Sequence, residues 1–229
     1  MHLGTDLYYR LLYGRSWCGA EPLERLMRSW ERGRRGDVPL SRAAWESQYR
    51  HGHWDLLADT RELARYSVLA GYVLLYPRAR VLDVGCGDGL LALRLNGSYQ
   101  SYLGIDLSET AIERARARVP SSRARFLQAN AETRVPSGRF DVIVFNESLY
   151  YFERPLAVFD RYASRLADGG AIALSMYCGS ARARALLARL VAAHAPADRT
   201  LVRNGDRAWE CCLFASFPSA LHSRERRAA

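Results

Sequence analysis

The most constraining feature of this sequence is a glycine-rich turn between an apolar run and a helical pattern. The run from Arg80 to Val84 has the β-branched, apolar character of a buried parallel strand, and Leu90 to Leu95 has the spacing of a helix. Alternating glycines occupy the turn between them, at Gly85, Gly87 and Gly89. Because glycine has no Cβ and tolerates positive φ, the backbone can turn sharply here and a ligand can lie against it. The sequence therefore predicts a strand-turn-helix unit that binds a nucleoside-like cofactor.

Two classes of cofactor use such a turn, and the residues around the glycines separate them. A dinucleotide site has the spacing Gly-x-Gly-x-x-Gly and places a pyrophosphate at the helix N-terminus. Here Leu90 stands where the third small residue belongs, and the acids Asp83 and Asp88 would repel a pyrophosphate. A nicotinamide-dependent oxidoreductase is therefore disfavoured. A ligand with a net positive charge suits the two acids better.

The spacing Asp-x-Gly-x-Gly-x-Gly from Asp83 to Gly89 resembles the first motif of class I S-adenosylmethionine-dependent methyltransferases. Asp106 follows about twenty residues on, at the end of a second predicted strand, where a carboxylate can accept hydrogen bonds from ribose hydroxyls. Ser108 then predicts the N-cap of a helix that runs to Arg118. The two motifs in this order imply that the cofactor is S-adenosylmethionine.

The later part of the sequence continues the alternation of strands and helices. The predicted elements are strands over Arg125 to Gln128, Phe140 to Asn146 and Gly170 to Tyr177, a helix over Leu156 to Leu166, and a hairpin of Thr200 to Asn204 with Ala208 to Ala215. A closing hairpin adds one antiparallel strand to a parallel sheet. We therefore expect an α/β fold, namely a doubly wound, seven-stranded and mostly parallel sheet of the Rossmann-like class I methyltransferase type.

The expected organisation is one catalytic core with a cap in front of it. The predicted cap is an N-terminal helical segment over residues 1–65, which contains a helix from Leu23 to Arg32 and a second helix capped by Ser41. The predicted S-adenosylmethionine-binding core covers residues 66–215, and residues 216–229 are expected to form a mobile tail.

The resemblance assigns cofactor contacts to residues near the ends of the predicted strands. It implies that Asp83, Gly85 and Gly87 hold the methionine part, that Asp106 holds the ribose, and that Asn130 and Ala131 contact adenine. Asn130 stands where this family often has an acid, but its amide oxygen can still accept a hydrogen bond from the adenine amino group. The remaining candidate contacts are Cys86, Gly89, Leu107, Glu132, Asn146, Trp54 and Tyr66.

An aromatic segment from Trp45 to Asp55 precedes the core and resembles the Trp-Glu-x-x-Tyr-x-x-Gly-x-Trp-Asp element of some small-molecule methyltransferases. In one interpretation it closes the site and places Tyr49, Trp54 or Tyr66 near a cationic sulfonium or amine. In the other, its aromatic side chains only dock a peripheral helix onto the sheet. Both interpretations stay open. No third ligand is spaced to complete a metal site with the two histidines of this segment, so we expect no metal.

The candidate substrate-facing residues follow the fourth predicted strand. The run Glu147-Ser148-Leu149-Tyr150-Tyr151 resembles that of nodulation-type N-methyltransferases, which act on the free amine of a sugar oligomer. A carboxylate beside a methionine site can orient an ammonium or a hydroxyl, whereas packing is the more common role of a single tyrosine. The catalytic candidates are Glu147, Tyr150 and Tyr151, with His51 and His53 as outside candidates. The expected acceptor is a small molecule with an amine or a hydroxyl group.

The net charge of +9 raises a nucleic-acid alternative. All 33 basic residues are arginine, and such a bias fits the coding composition of a genome better than a selected phosphate-binding face. The arginines at Arg114, Arg116 and Arg118 are expected to form a solvated helix face. Binding of nucleic acid is therefore not expected. An RNA or protein methyltransferase and a non-catalytic cofactor-binding subunit remain alternatives.

Composition also bears on location and assembly. The five cysteines are scattered, and the adjacent Cys211 and Cys212 should face opposite sides of a predicted strand. This usage is typical of a reduced, cytoplasmic protein. We expect neither membrane insertion nor secretion, and we expect a monomer or a homodimer.

Overall fold

The computed structural model describes residues 41–214 of the chain. Two predicted features, the helix from Leu23 to Arg32 and the tail over residues 216–229, lie outside the described residues. The predicted cap at Ser41 is confirmed, because its hydroxyl accepts a 3.2 Å hydrogen bond from the backbone N–H of Ala44.

Helices and strands alternate along the described chain. The helices are α1 (Arg42–Arg50), α2 (Leu63–Leu74), α3 (Leu90–Leu95), α4 (Glu109–Arg118), α5 (Pro155–Ala163) and α6 (Ala181–Ala193). The strands are β1 (Arg80–Val84), β2 (Ser101–Asp106), β3 (Ala124–Gln128), β4 (Phe140–Asn146), β5 (Leu166–Tyr177), β6 (Asp198–Asn204) and β7 (Arg207–Phe214). Three short 3₁₀ turns span Asp55–Ala58, Thr60–Glu62 and Leu149–Tyr151.

The strands form one seven-stranded sheet in the order β3-β2-β1-β4-β5-β7-β6. Strand β7 pairs antiparallel with β5 and β6, and the other pairs are parallel. The predicted doubly wound sheet with one antiparallel strand is therefore confirmed. Because the strand order reverses between β1 and β4, a crevice opens at the carboxyl ends of these strands, where such sheets bind their ligands.

Helices cover both faces of the sheet, and the central strands are apolar on both sides. Along β4, Val142 and Val144 belong to one buried cluster, whereas Ile143 and Phe145 belong to the other. Successive side chains of a strand point to opposite faces, so this alternation follows directly from the strand geometry. Cys211 and Cys212 likewise lie in different clusters, which confirms their predicted opposite orientation.

The structure differs from the predicted elements around strand β5. The helix predicted to reach Leu166 ends at Ala163, and β5 begins at Leu166 instead of Gly170. Leu166 pairs with Phe140, and a register shift follows between Phe140 and Val142. Gly169 has a φ of 73°, so the glycine pair bends within a strand and does not mark a separate turn. Helix α6 was not predicted.

Helix α2 runs across the predicted division at residue 66. Arg65 and Tyr66 are both buried, and Arg65 bonds to residues on β4 and β5. The segment before the core therefore contributes to the core through this helix. No described helix is long and apolar enough to cross a membrane.

Candidate active site

A cavity of about 570 Å³ lies at the carboxyl ends of strands β1 to β4, within the size range of ligand-binding cavities. Helix α1, the glycine turn, the loop after β4 and the hairpin residues Arg207 and Trp209 contribute to its wall. The predicted site residues that line it are Trp54, Tyr66, Gly85, Cys86, Gly87, Asp106, Leu107, Asn130, Ala131, Glu132, Asn146, Glu147, Tyr150 and Tyr151. The crevice of the fold and the predicted site thus coincide.

Four predicted site residues lie outside this lining: Asp83, Gly89, His51 and His53. Asp83 is 1% exposed because its strand position points it into the apolar layer, where the Tyr102 hydroxyl donates to its Oδ2. Burial is the main reason why the pKa of this carboxyl rises to about 7. Asp83 therefore lies behind the glycine turn and outside the cavity lining.

The other three residues outside the lining, Gly89, His51 and His53, contact protein groups that hold the fold together. A Cβ on Gly89 would lie 3.1 Å from the Cβ of Ala115, so this glycine lets α4 approach the turn. The ring of His51 bonds to its own helix, with Nδ1 lying 2.8 Å from the carbonyl oxygen of Ser47. His53 is 5% exposed and packs edge-on against Trp54. These surroundings do not support the catalytic assignment of either histidine.

The glycines that line the cavity leave no free space for a side chain, because other protein atoms lie close to their Cα atoms. Gly85 and Gly87 have φ values of 77° and 54°. A Cβ on Gly85 would lie 2.5 Å from the Cβ of Ser148, and a Cβ on Gly87 would lie 2.8 Å from the Tyr49 hydroxyl oxygen. A larger residue at either position would be strained by the positive φ, and it would also displace Ser148 or the Tyr49 hydroxyl. The turn is therefore wedged between the β4 loop and helix α1.

Asp106 is the ionisable group at the centre of the cavity wall. Its Oδ2 accepts a 2.9 Å hydrogen bond from the Gly87 N–H, and its Oδ1 accepts one of the same length from the Ser108 N–H. Burial raises the pKa of this carboxyl to about 6 although these bonds oppose the rise. A carboxylate has about four acceptor positions, so Asp106 retains capacity for ligand hydroxyls beside these backbone bonds.

The turn after β3 is held together by its own polar side chains. The amide oxygen of Asn130 accepts a 2.9 Å hydrogen bond from the Glu132 N–H. The Oε1 of Glu132 accepts bonds from the backbone N–H groups of Glu153, at 2.9 Å, and Arg154, at 3.2 Å. Both residues line the cavity, but the bonds that they make here shape the turn. Asn130 retains one acceptor position on its oxygen for a ligand amino group.

The aromatic segment both docks the cap and forms the cavity wall. Trp45 stacks on Trp54 with ring centroids 5.3 Å apart and meets Tyr151 edge-on at 4.9 Å, and all three side chains line the cavity. Tyr49 is 5% exposed and lies against Gly87. The docking interpretation is therefore confirmed, and the aromatic rings also line the cavity, whereas their approach to a cationic group stays a prediction.

Glu147 lies at the end of the cavity formed by the β4 loop. Its Oε2 accepts a 2.8 Å hydrogen bond from the Tyr150 hydroxyl, and its Oε1 lies 3.1 Å from the Ser175 hydroxyl. Burial raises the pKa of its carboxyl above the ordinary value. Glu147 also has a φ of 57°, and such a left-handed conformation costs a non-glycine residue roughly 1–2 kcal/mol. Strain of this kind is typical of functional sites.

Two buried charges near Glu147 are absent from the sequence predictions. Arg65 and Glu62 form an ion pair of 3.0 Å, with side chains that are 1% and 3% exposed. Arg65 shares one face of α2 with the buried Leu69, Tyr72 and Val73. A single arginine on an otherwise apolar helix face indicates a buried charge, and this pattern could have identified Arg65 from the sequence.

The aromatic ring of Tyr66 makes cation–π contacts with two arginines of the protein. The guanidinium carbons of Arg65 and Arg94 lie 4.4 Å and 4.2 Å from its centroid. Tyr66 lines the cavity, but the cation–π contacts that the structure shows are made with arginines. The predicted approach of its face to a sulfonium is therefore not supported.

The arginines of helix α4 are engaged and do not form a purely solvated face. Arg118 forms a 2.7 Å ion pair with Asp88, and Arg114 forms one of 2.9 Å with Asp55. Arg116 donates to the carbonyl oxygen of Phe126 at 2.9 Å. These contacts join α4 to the glycine turn, the cap and strand β3, and they use donors that a nucleic acid would need.

Residues 45–216 match the family model described as a methyltransferase domain. The chain belongs to this family. The match confirms the predicted methyltransferase class, for which the predicted cofactor is S-adenosylmethionine. The 27-O-demethylrifamycin SV methyltransferase of Amycolatopsis mediterranei is 34% identical over 139 residues, which cover 57% of this chain and 51% of that protein. The chain spans about half the length of the curated relatives it matches.

Solved structures share the fold at lower identity. The N-methyltransferase NodS from Bradyrhizobium japonicum, in complex with S-adenosyl-L-homocysteine, has a TM-score of 0.63 and 22% identity, covering 71% of this chain and 91% of that one. The [4+2]-cyclase SpnF has a TM-score of 0.57 and 20% identity, covering 67% and 80% of the two chains. At these identities the likeness establishes the fold alone.

The lining fits the chemistry of this cofactor. Asp106 is a partly buried carboxylate with acceptor capacity toward the cavity, as ribose hydroxyls require. Glu147 adds a further acidic group for a ligand with a positive sulfur and amino end, whereas Asp88 also lines the cavity but is paired with Arg118. The apolar Leu107, Ala129 and Ala131 provide a surface for a flat base at the other end.

Proposed function

We propose that this protein transfers a methyl group from S-adenosylmethionine to an amine or hydroxyl group of a small molecule. The observation that carries the proposal is the Glu147 carboxylate, which lines the cavity beside Asn146 and Tyr150. The cofactor supplies an electrophilic methyl carbon on a positively charged sulfur. Asp106 would hold its ribose, Gly85, Cys86 and Gly87 its methionine part, and Asn130 and Ala131 its adenine.

The protein's contribution to the reaction is alignment, exclusion of water and acceptance of a proton. Alignment of two reactants can supply about 7–11 kcal/mol of a barrier. Trp45, Trp54 and Tyr151 close one side of the cavity with aromatic surface and exclude water there. For a hydroxyl acceptor, the Glu147 carboxylate would accept the proton, whereas for an amine it would orient the nitrogen.

The charges around the cavity support a neutral or cationic acceptor. Acidic side chains predominate in the lining, and they are Glu62, Asp88, Asp106, Glu132, Glu147 and Glu153. Two of these acids are already paired, Glu62 with Arg65 and Arg207 and Asp88 with Arg118. An anionic acceptor beside the remaining acids, among them Asp106, Glu132 and Glu147, would face repulsion although the whole chain carries a net charge of +9. The RNA alternative is weakened for the same reason.

The proposal is tested with cofactor labelled in its methyl group. Acceptors that share one carbon skeleton and carry an amine, a hydroxyl or a carboxylate are compared with bulk RNA at low and high salt. We expect label in the amine or the hydroxyl compound and a loss of at least tenfold in kcat in Glu147→Gln. Asp141→Asn, which alters an acid at the opposite end of β4, serves as the matched control.

Three results would contradict the proposal. Label found only in RNA, with a steep decrease at high salt, would favour the nucleic-acid alternative. Turnover that appears only when a partner protein is added would favour a cofactor-binding subunit. Equal turnover by the wild type and Glu147→Gln would remove Glu147 from the mechanism.

A further inference from the structure

A buried guanidinium lies directly behind the acceptor end of the cavity. Arg65 is 1% exposed and is not among the residues of the cavity wall. Its Nε and Nη2 donate to Oε2 of Glu62 at 3.3 Å and 3.0 Å, while Oε1 of Glu62 pairs with Arg207 at 2.8 Å. Burying two arginines and an acid costs desolvation energy that this geometry must offset. The Glu62 carboxylate occupies two of the guanidinium nitrogens of Arg65, and the third, Nη1, points elsewhere.

That nitrogen connects helix α2 to the ends of two strands. Nη1 of Arg65 donates to the amide oxygen of Asn146, the last residue of β4, and lies 3.5 Å from the hydroxyl oxygen of Ser175 on β5. Asn146 lines the cavity immediately before Glu147. Because its oxygen faces Arg65, the amide nitrogen of Asn146 is left to bond elsewhere.

The Ser175 hydroxyl carries this arrangement to Glu147. It accepts a 3.1 Å hydrogen bond from the Glu147 N–H, and it lies 3.1 Å from Oε1 of Glu147 and 3.0 Å from Oδ1 of Asn146. A hydroxyl has one proton to donate. Since the charged Arg65 is the stronger donor to Asn146, the proton of Ser175 is available to the Glu147 carboxylate.

We propose that Arg65 is a positioning residue for the methyl transfer, which fixes the Asn146 amide and stabilises the ionised form of Glu147 from behind the cavity wall. The part of this inference that concerns turnover rests on the proposed function. The electrostatic effect is a property of the folded chain and can be measured without an acceptor. The geometric link runs from Arg65 Nη1 through the Ser175 hydroxyl to Glu147 Oε1, and a nearby opposite charge favours the ionised form of a carboxyl.

The groups that act on Glu147 come from several elements. They are Arg65 on α2, Tyr150 in its own loop, Ser175 on β5 and Glu62 just before α2. The thiols of Cys178, after β5, and Cys211, on β7, in turn feel the charge of Glu147. Burial raises the pKa of Glu147, and the positive charge of Arg65 is the largest influence that opposes it. Without Arg65, Glu147 would face the buried acid Glu62, and the loss of attraction and the remaining repulsion would act in the same direction.

The test is a carboxyl titration of the full chain by NMR, with glutamate labelled at its side-chain carboxyl carbon and Glu147 assigned through Glu147→Gln. In Arg65→Met we expect the pKa of Glu147 to rise by at least about one unit. In Arg65→Lys, which keeps the charge, we expect most of this rise to be absent. An unchanged pKa in a folded Arg65→Met would overturn the electrostatic part of the proposal.

Arg80→Met is the matched control. Arg80 also forks onto a carboxylate, since its Nε and Nη2 donate to Asp141 at 3.0 Å and 2.9 Å, but this pair holds the opposite end of β4. The control removes an ion pair from the same strand and should leave the Glu147 titration unchanged. A shift of equal size in Arg80→Met would show that the effect is a general consequence of lost stability and would overturn the proposal.

The positioning part is tested with Arg65→Lys. If Arg65→Met does not fold, Arg65→Gln replaces it in the titration, with the same expected rise in the pKa of Glu147. A lysine cannot bond to Glu62 and Asn146 with a planar fork. We therefore expect a changed side-chain amide signal of Asn146 and a kcat lowered by about tenfold or more, with little change in the KM for the cofactor. A wild-type amide signal and kcat would overturn it. If the wild type methylates no acceptor, the proposed function fails, while the titration still decides the role of Arg65.

Discussion

The Ser108 hydroxyl donates a 2.9 Å hydrogen bond to Oε2 of Glu46. Ser108 caps helix α4 beside the Asp106 site, whereas Glu46 belongs to α1, so this bond ties the cap segment to the rim of the cavity. Thr110 donates to Oε1 of the same carboxylate through its N–H and its hydroxyl. Although burial opposes it, these bonds lower the pKa of Glu46. A carboxylate is also favoured at a helix N-terminus.

Removing this anchor should loosen the cap over the cofactor. In Glu46→Ala we expect S-adenosylhomocysteine to bind about tenfold more weakly, a loss of about 1.4 kcal/mol, because only part of the energy of these bonds to a charged group is coupled to closing the site. Calorimetric titration measures the Kd. Glu109→Ala is the control. This acid lies in the first turn of α4, beside Ser108 and Thr110, but its side chain makes a partly exposed 3.5 Å pair with Arg116. Equal affinities in both variants would show that α1 does not close the site.

The ribose assignment depends on Asp106. We expect Asp106→Ala to abolish measurable binding of S-adenosylhomocysteine, because the variant loses the ligand contacts and the two bonds that hold Gly87 and Ser108. Asp141→Ala, at the opposite end of the sheet, should bind as the wild type does. Calorimetry with both variants is the measurement. An unchanged Kd in Asp106→Ala would remove the assignment.

Much of the fold was predictable because its signals are local. The run from Arg80 to Val84 and the helix from Leu90 to Leu95 have the predicted bounds in the structure. Their apolar character and the glycines between them act within a few residues of the chain. Strand β5 was shortened in the prediction because Gly169 and Gly170 indicate a turn, whereas pairing with β4 keeps the bend inside the sheet.

The sequence predicted most residues that line the candidate site, but it did not predict the residues that position them. Motif spacing located Asp106, and the structure places it in the cavity wall. The same spacing placed Asp83 against the ligand, but strand alternation turns its side chain into the core. Arg65 and Glu46 act through partners distant in sequence, namely Asn146 and Ser108. Such contacts depend on tertiary packing, which no local pattern encodes.

The buried Asp83 should make stability depend on pH. Burial raises the pKa of this carboxyl to about 7 from its ordinary value of 3.8. Between about pH 4 and pH 7 the folded chain therefore holds a proton that the unfolded chain has released, so stability falls as pH rises through this window. Asp106, with a pKa raised to about 6, acts in the same direction.

Urea unfolding at about pH 5 and about pH 8 measures this effect. We expect Asp83→Asn to lose less stability between the two pH values than the wild type, since a tenfold difference in proton affinity between the folded and unfolded chain corresponds to about 1.4 kcal/mol. Tyr102→Phe should lose more, because the hydrogen bond from Tyr102 lowers the pKa of Asp83 and its removal lets that pKa rise. The same pH dependence in all three proteins would contradict the linkage.

Tyr150 should set the acidic limb of the pH–rate profile. Its hydroxyl donates a 2.8 Å hydrogen bond to Oε2 of Glu147, and this bond favours the ionised carboxylate that accepts a proton in the proposed reaction. In Tyr150→Phe the pKa of Glu147 should rise by about one unit, so the acidic limb of the kcat/KM profile moves to higher pH. Tyr72→Phe is the control, because Tyr72 donates to Asp198 and not to Glu147. A limb that stays in place in Tyr150→Phe, or that moves equally in both variants, would show that the Tyr150 hydroxyl does not tune Glu147.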